Sequence, residues 1–271
     1  MSGSSQAGVP GLADGTVRLR ALRSADLDAV VEQCHDEVVQ RWSLTLPSPY
    51  TRADAEAFLV LAQEGWGSGE RWQWAVEVEG RYAGLVDLSH LGQGVREVGF
   101  AAHPATRGQG HLTRATRLVV AYAFSAGCPL VLWHAAAGNV ASRRVAWHTG
   151  FRIAPGETRI MRNGVLRDSW SGTLAPGDPL TPTTRWVRPP PLGDGQGQVG
   201  IRLRPWGEDD ARLLPGGLGP TPASYDAWHA GQLAREAAGE LLSWVVCAGG
   251  AEGDPDAVLG GVQLAAAHQW E

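Results

Sequence analysis

The segment from Glu97 to Phe151 constrains the fold more than any other part of the chain. It reads EVGFAAHPATRGQGHLTRATRLVVAYAF, continues through a short apolar strand, and ends in GNVASRRVAWHTGF. A strand therefore leads into a basic turn with two glycines, and that turn opens an amphipathic helix. Because the first N–H groups of a helix are unpaired and attract anions, this order predicts a pocket for a cofactor that carries phosphate.

The composition narrows the classes of function. The chain has 271 residues and a formal net charge of −5, which argues against nucleic acid as a partner. All 23 basic residues are arginine. The lysine of a Walker A loop or of a pyridoxal Schiff base is therefore absent. Any phosphate bound by this chain must be held by main-chain amides and arginine.

The sequence gives no sign of export or of a membrane. No apolar run approaches the roughly 18 residues of a membrane span. The first fifteen residues, MSGSSQAGVPGLADG, have neither a basic nor an apolar region and are predicted to be a flexible lead-in. Cys34, Cys128 and Cys247 lie too far apart to form a metal-ligand pattern. We expect a cytoplasmic protein with no metal and no membrane partner.

Hydrophobic periodicity divides the first two thirds of the chain into alternating elements. The predicted strands cover 16–22, 72–79, 82–89, 95–102 and 130–135, and a final hairpin over 151–174 turns at Asn163-Gly164. The predicted helices cover 24–35, 51–65, 109–126 and 139–149. This mixture predicts an α/β class with α+β character.

A partial repeat follows a segment rich in Pro and Gly, 176–198, which is predicted to be a linker. After it, IRLRPWGEDDARLL echoes VRLRALRSADLDAV, and WVVCAGG…DAVLGGVQL echoes WAVEVEGRYAGLVDL. Two blocks in the same order indicate an internal duplication, so 199–271 is predicted to be a partial second domain without the glycine turn. The sheet of this partial domain would have an unpaired edge strand. We expect that edge to be covered by the first domain, by a second chain in a homodimer, or by residues beyond this sequence.

The glycine turn and the later asparagine block together resemble the GNAT superfamily of acetyl-CoA-dependent N-acetyltransferases, over residues 16–175. The family signature Q/R-x-x-G-x-G/A overlays Arg107, Gly110 and Leu112, and Leu112 departs from the small residue of the pattern. The block N-x-x-S-x-R-V…G-F, which begins at Asn139, is similar to the RimJ/RimL-like branch. That branch includes N-terminal acetyltransferases of ribosomal proteins.

The resemblance implies a fold and a cofactor. The fold is a central mixed, largely antiparallel sheet with one splayed pair of parallel strands, here 95–102 and 130–135, and flanking helices. Acetyl-CoA would bind in the splay, with its pantetheine arm along the first strand and its pyrophosphate on the amides of the turn. The residues expected to contact it are Phe100, Ala101, Ala102, Arg107, Gly108, Gln109, Gly110, His111, Leu112, Asn139 and Ser142.

Acyl transfer to an amine requires removal of a proton from the amine and protonation of the departing thiolate. Glu97 is the candidate base, acting through water, and a solvated carboxylate beside Arg96 is the alternative interpretation. Many relatives carry a tyrosine acid four residues before the Gly-Phe pair, where this chain has Ala146. Ser142 is the substitute candidate for that role.

The acceptor is the least defined part of the expected reaction. Trp42 and Asp87 are candidate acceptor contacts, with aromatic packing and hairpin surface charge as their respective alternatives. The leading function is an N-acetyltransferase acting on a protein N-terminus or a small amine. The alternative is a non-catalytic module of the same fold that binds acyl-CoA or a protein partner. A dinucleotide-binding oxidoreductase is excluded because the glycine turn does not follow the first strand and G-x-G-x-x-G is absent.

Overall fold

The computed structural model describes residues 8–43, 46–154, 158–162, 164–184, 186, 201–206, 210, 222–237, 241–248 and 258–265. The strands are β1 (Leu12–Ala13), β2 (Arg18–Arg20), β3 (Arg71–Val78), β4 (Arg81–His90), β5 (Arg96–Ala102), β6 (Val131–Ala136), β7 (Arg152–Ile153), β8 (Thr158–Arg162), β9 (Val165–Leu174), β10 (Ile201–Arg204), β11 (Leu241–Ala248) and β12 (Val258–Ala265). The helices are α1 (Leu27–His35), α2 (Glu37–Trp42), α3 (Arg52–Ser68), α4 (His111–Ser125), α5 (Val140–Thr149) and α6 (Pro222–Ala237). The described residues fall into two units, the first within Met1–Ala136 and Ala141–Thr183, the second within Ala137–Val140 and Thr184–Glu271.

The first unit is built on a nine-stranded sheet in the order β1-β2-β3-β4-β5-β6-β9-β7, with β8 also paired to β9. Strands β5 and β6 are parallel, and the other neighbouring pairs are antiparallel. A mixed, largely antiparallel sheet with one parallel pair was predicted, and it is confirmed.

Helices cover both faces of this sheet. On one face, Tyr122 of α4 packs edge-on against Trp72 and Trp74 of β3. The next residue of β3, Ala75, points to the opposite face, because successive side chains of a strand alternate. There it joins an apolar cluster with α1, which includes Leu27 and Val30. The buried apolar area on the two faces holds the sheet between its helices.

The helix boundaries follow local capping. Helix α3 begins at a capping box, in which Thr51 N donates to Asp54 Oδ2 at 2.7 Å and Asp54 N donates to Thr51 Oγ1 at 3.3 Å. Helix α2 was not predicted. Asp36 caps α2 through a hydrogen bond from Val39 N at 3.0 Å. Six residues are too few for a helical repeat of apolar positions to be recognised.

The lead-in and the predicted linker are more ordered than the sequence indicated. Strand β1 lies within the segment predicted to be flexible, and Leu12 pairs with Leu19 of β2. Residues 176–184 were predicted to be linker, but Pro179 O lies only 2.3 Å from where a Cβ of Gly150 would stand. The close approach explains the glycine at the end of α5. Residues 1–7, residues 187–200 and Asn163 of the predicted hairpin turn lie outside the described residues.

The second unit repeats the pairing of β2, β3 and β4 on a smaller scale. Its sheet has the order β10-β11-β12, with antiparallel neighbours. Leu203 faces Val246 as Leu19 faces Val76. Both repeats also have a register shift at the same place, after Val76 in β3 and after Val246 in β11.

An ion pair recurs at the same position in the two units. Arg20 donates to both carboxylate oxygens of Asp26, at 2.7 and 2.8 Å. Arg204 donates to both oxygens of Asp210, at 2.7 Å each. In each unit the arginine ends the first strand of the repeat and the aspartate lies six residues later.

Candidate functional site

The parallel strands β5 and β6 separate after three paired positions, the last of which is Val98 with Trp133. Beyond that point, residues 99–102 of β5 stay paired with β4, and residues 134–136 of β6 stay paired with β9. The edges that face each other have no strand partner among the described residues. Such edges offer main-chain N–H and C=O groups to an extended chain of amides. The gap therefore suits a ligand arm that pairs like a strand.

The turn after β5 forms an amide-lined cradle at the start of α4. Gly110 is the N-cap residue, with φ 77°, and Gly108 has φ 75°. Both angles lie in the left-handed region that favours glycine. In the described part of the chain, none of the N–H groups from Gly108 to Thr113 donates a hydrogen bond. A Cβ on either glycine would meet no atom within 4 Å, so the space above the turn is open.

The arginine of the turn is held by a carboxylate rather than directed at open space. Arg107 donates to both oxygens of Asp36, with Nη2–Oδ1 at 2.5 Å and Nη1–Oδ2 at 3.2 Å. This hydrogen bonding lowers the pKa of Asp36 below its ordinary value. The main-chain N–H of Arg107 also bonds Pro104 O, at 3.4 Å. In the structure Arg107 thus connects the turn to Asp36, the N-cap residue of α2, and its expected contact with phosphate stays a prediction.

The remaining residues of the turn bond mostly to one another. Gln109 Nε2 donates to Ala105 O at 3.3 Å, and Gln109 Oε1 lies 3.1 Å from His111 Nε2. Leu112 is half-buried in the first turn of α4, where relatives have a small residue. These side chains shape the turn, and its anion-binding capacity comes from the amides and from the positive end of the α4 dipole.

The candidate base has a partner that sequence reasoning missed. Glu97 Oε1 lies 3.5 Å from His134 Nδ1, across the parallel pair where β5 and β6 separate. The alternative pairing with Arg96 is not formed, because Arg96 points to the other face. Its guanidinium carbon lies 3.3 Å from the centre of the Trp72 ring. The one available signal for His134 was strand alternation, since the paired register puts it on the same face as Glu97.

The asparagine block places Ser142 next to β6. Trp133 Nε1 donates to Ser142 Oγ at 3.1 Å. Since Oγ accepts this bond, its own O–H is directed elsewhere as a donor. Ala146, at the position of the tyrosine in many relatives, is fully buried on α5. Asn139 directly precedes α5 along the chain.

The two candidate acceptor contacts differ in their surroundings. Asp87 is not a surface charge, since its side chain is 11% exposed and accepts a hydrogen bond from Arg71 Nη2 at 2.8 Å. Its Oδ2 would lie 2.9 Å from a Cβ on Gly99, so a glycine is needed at that position of β5. Trp42 ends α2 and is half-buried, with the Arg41 guanidinium carbon 5.2 Å from the ring centre.

Two further properties concern only the described ranges. No three His, Cys, Asp or Glu side chains there form a group that could hold a metal ion. In the same ranges, no helix is both long enough and apolar enough to cross a lipid bilayer.

Comparison with known proteins agrees with this geometry. The family model described as acetyltransferase (GNAT) domain matches residues 16–152, about half of the chain. The chain therefore belongs to the GNAT acetyltransferase family. No curated protein matches the chain significantly.

Solved structures share the fold. A GCN5-related N-acetyltransferase from Brucella melitensis is 25% identical, with a TM-score of 0.52 over 63% of this chain and 80% of that chain. RimJ from Mycobacterium smegmatis, solved with CoA-disulfide, is 18% identical, with a TM-score of 0.53 over 62% and 87% of the two chains. A putative ribosomal-protein-serine acetyltransferase from Vibrio cholerae is 15% identical, with a TM-score of 0.54 over 62% and 98%.

Proposed function

We propose that the chain is an acetyl-CoA-dependent N-acetyltransferase that transfers an acetyl group to a primary amine. The observation that carries this proposal is the combination of the β5–β6 gap with the row of unbonded amides from Gly108 to Thr113. The gap fits an amide-containing arm and the amides fit a pyrophosphate. Mycobacterium smegmatis RimJ was solved with a CoA-disulfide, which supports the same ligand here.

Different residues of the chain would bind different parts of acetyl-CoA. The edge of β5 at Phe100, Ala101 and Ala102 would pair with the pantetheine arm, and the amides from Gly108 to Leu112 would hold the pyrophosphate. Asn139 and Ser142 would contact the arm and the thiol. Acetyl-CoA would supply the acetyl group as an activated thioester. Arg107 would add its positive charge to the pyrophosphate site, and its hydrogen bonds with Asp36 would keep the turn in the binding geometry.

The chemistry needs a proton acceptor and a proton donor. Glu97 precedes Val98, the last residue of β5 that pairs with β6, and we assign its carboxylate to proton removal from the amine. Ser142 is the proposed donor to the departing thiolate, since the bond from Trp133 directs its O–H away from the indole. Donation by a positioned hydroxyl lowers the cost of developing charge on sulfur.

The acceptor is proposed at the level of a class, a protein N-terminus or a small-molecule amine. A fold neighbour named as a ribosomal-protein-serine acetyltransferase makes peptides with N-terminal serine reasonable first substrates. Trp42 and Asp87 are the proposed acceptor contacts. We further propose a cytoplasmic location, with neither nucleic acid nor membrane as a partner.

The test has two parts, on the full chain. Isothermal titration with acetyl-CoA measures binding, and a thiol-reactive dye measures release of coenzyme A. The acceptor panel contains peptides that begin with serine or alanine, together with small alkylamines. Reactions without acceptor and without acetyl-CoA are the controls. We expect micromolar binding and acceptor-dependent thiol release.

The two parts separate the candidate functions. No binding at acetyl-CoA concentrations near millimolar would refute the enzyme proposal. Binding without thiol release for any amine would favour the alternative, a non-catalytic acyl-CoA-binding or protein-interaction module. The half-buried Leu112 and the buried Ala146 are the two features that favour this alternative.

For the domain organisation, we propose a catalytic domain over 16–175 and a partial second copy of its front half over 199–271. The repeated strand order, the repeated register shift and the repeated arginine–aspartate pair support the duplication. We also propose that β12 gains a partner in a homodimer. The experiment for the latter is the mass of the protein in solution, by light scattering.

A further inference from the structure

Glu97 and His134 form a carboxylate–imidazole pair at the point where β5 and β6 separate. The distance from Glu97 Oε1 to His134 Nδ1 is 3.5 Å. The side chains are 13% and 21% exposed, so the pair is largely enclosed but still reachable from solvent. His134 lies one residue beyond Trp133, the last residue of β6 that pairs with β5.

The other charged groups on this face are already paired or lie further along their strands. Asp87 of β4 is bound to Arg71 of β3 at 2.8 Å. On β9, the residue opposite His134 is the uncharged Ser171, and Arg167 is the next charged residue on that face. Ser89 of β4 lies opposite Glu97. Among the described residues, Glu97 is the one acidic side chain within 4 Å of a ring nitrogen of His134.

The orientation of the ring gives the two nitrogen atoms different tasks. Because Nδ1 is the ring nitrogen that faces the carboxylate, we assign the proton of the neutral ring to Nδ1 and the lone pair to Nε2 across the ring. Imidazole exchanges protons near neutral pH, whereas a carboxylate does so at lower pH. An amine acceptor arrives largely as an ammonium ion, so an imidazole is the better matched proton acceptor of the two. A carboxylate behind the ring stabilises the imidazolium that results.

We propose that His134 Nε2 takes the proton from the acceptor ammonium and that Glu97 positions the imidazole. The N–H bond of the ammonium breaks and the proton binds Nε2. The freed nitrogen lone pair then forms the N–C bond to the carbonyl carbon, and the C–S bond breaks with its electron pair on sulfur. The second amine proton goes to sulfur, and the imidazolium returns its proton to water. This proposal rests on the proposed function and replaces the direct role of Glu97 with a positioning role.

The first test compares three variants with the wild type across pH: H134Q, E97Q and the control H90Q. His90 is half-buried on β4, on the opposite face from Glu97. The acceptor is the amine that the wild type turns over fastest, at saturating acetyl-CoA. We expect H134Q to lower kcat/KM about 100-fold and to lose the acidic limb of the pH profile. E97Q should lower kcat/KM less than H134Q does and should retain that limb, and H90Q should stay within about twofold of the wild type.

Two further readouts separate a catalytic from a structural effect. Added imidazole should restore part of the activity of H134A but not of E97Q. Acetyl-CoA affinity by titration should be unchanged in all variants. If H134Q kept the wild-type rate and pH profile while E97Q lost activity, Glu97 would act without His134 and the proposal would be wrong. A wild type that binds no acetyl-CoA would instead refute the proposed function.

A second measurement does not depend on turnover. Long-range proton–nitrogen spectra of histidine-labelled protein report which ring nitrogen carries the proton. We expect His134 to carry it on Nδ1 in the wild type and to lose that preference in E97Q. A neutral His134 protonated on Nε2 in the wild type would overturn the proposal, whatever the acceptor.

Discussion

Strand β4 is buried between β3 and β5, whereas β12 is exposed along most of its length, although each is the third strand of the same repeated pattern. Val86 and Leu88 of β4 are both 0% exposed, and their counterparts Val262 and Leu264 are 41% and 54% exposed. The two strands have the same register against β3 and β11. The local sequence pattern therefore sets the register of each strand against its neighbour. The elements that pack on a strand set how far its side chains are buried.

The elements that follow β4 also explain why the candidate site lies in the first unit. In the first unit β4 is followed by β5, the glycine turn and α4, which together provide the gap and the amides. The described part of the second unit has the framework strands and α6 alone. The three described strands of this unit are antiparallel neighbours. They therefore contain no parallel pair that could separate beside the first turn of a helix. The first unit thus carries the candidate site for a topological reason.

The largest expected effect comes from placing a polar side chain at the same position in the two units. V86N should destabilise the first unit by about 4 kcal/mol, because it loses apolar burial and buries an amide. V262N should change the second unit by less than about 0.5 kcal/mol, because the position is exposed. Urea-dependent labelling of the buried Cys34 and Cys247 reports the two units separately. An equal loss at both positions would contradict the comparison, because it would show that the Val262 side chain is covered in solution.

The repeated ion pair gives the second contrast. The Arg20 and Asp26 side chains are each 7% exposed, and Glu77 also contacts Arg20. The hydrogen bonds with Asp26 raise the pKa of Arg20 above its ordinary value. D26N should therefore destabilise the first unit by about 3 kcal/mol, since it leaves a buried charge less well paired. D210N should cost about 1 kcal/mol, because Arg204 is 25% exposed and can be solvated. Cysteine labelling in urea measures both, and a larger cost for D210N would contradict the comparison.

The third contrast concerns the glycine turn, which has no counterpart in the described part of the second unit. G110A places a methyl group in the amide cradle and strains a residue with φ 77°. G164A is the matched control, because Gly164 has φ 78° and equally open space but lies at the β8–β9 turn. Both variants should lose about 1 kcal/mol of stability from the left-handed backbone. Only G110A should raise the Kd for acetyl-CoA, by about tenfold or more. Equal Kd values for G110A and G164A would show that the glycine turn does not bind the cofactor.

The smallest effect is a pH dependence of the Asp36–Arg107 pair. Arg107 lowers the pKa of Asp36, so the folded state favours the carboxylate. The resulting stability is fully present above the ordinary aspartate pKa, near 3.9, and is lost as pH falls through the lower folded value. Wild type should therefore lose more stability than D36N between pH 5 and pH 3, by less than about 1 kcal/mol. Urea denaturation at each pH measures the difference, with D28N, on an exposed position of α1, as the control.

Much of the fold followed from the sequence because its signals are local. The alternation in β3 and β4, the capping box at Thr51 and the glycine that ends α5 each act within a few residues. Helix α2 escaped prediction because it is short. The pairing of β9 with β6 also could not be derived, since residues far apart in sequence decide it.

By itself, the sequence determined the glycine turn, the order of the elements and the family resemblance. Each depends on backbone preferences and spacing that neighbouring residues fix. Only the tertiary structure decided that Arg107 binds Asp36 and that Glu97 faces His134, because these partners come from distant segments brought together by the sheet. It also decided that Asp87 is buried beside Arg71 and that Val262 is exposed where Val86 is not. Contacts and solvent access are properties of the packed chain, so the same local pattern acquires a different role in each unit.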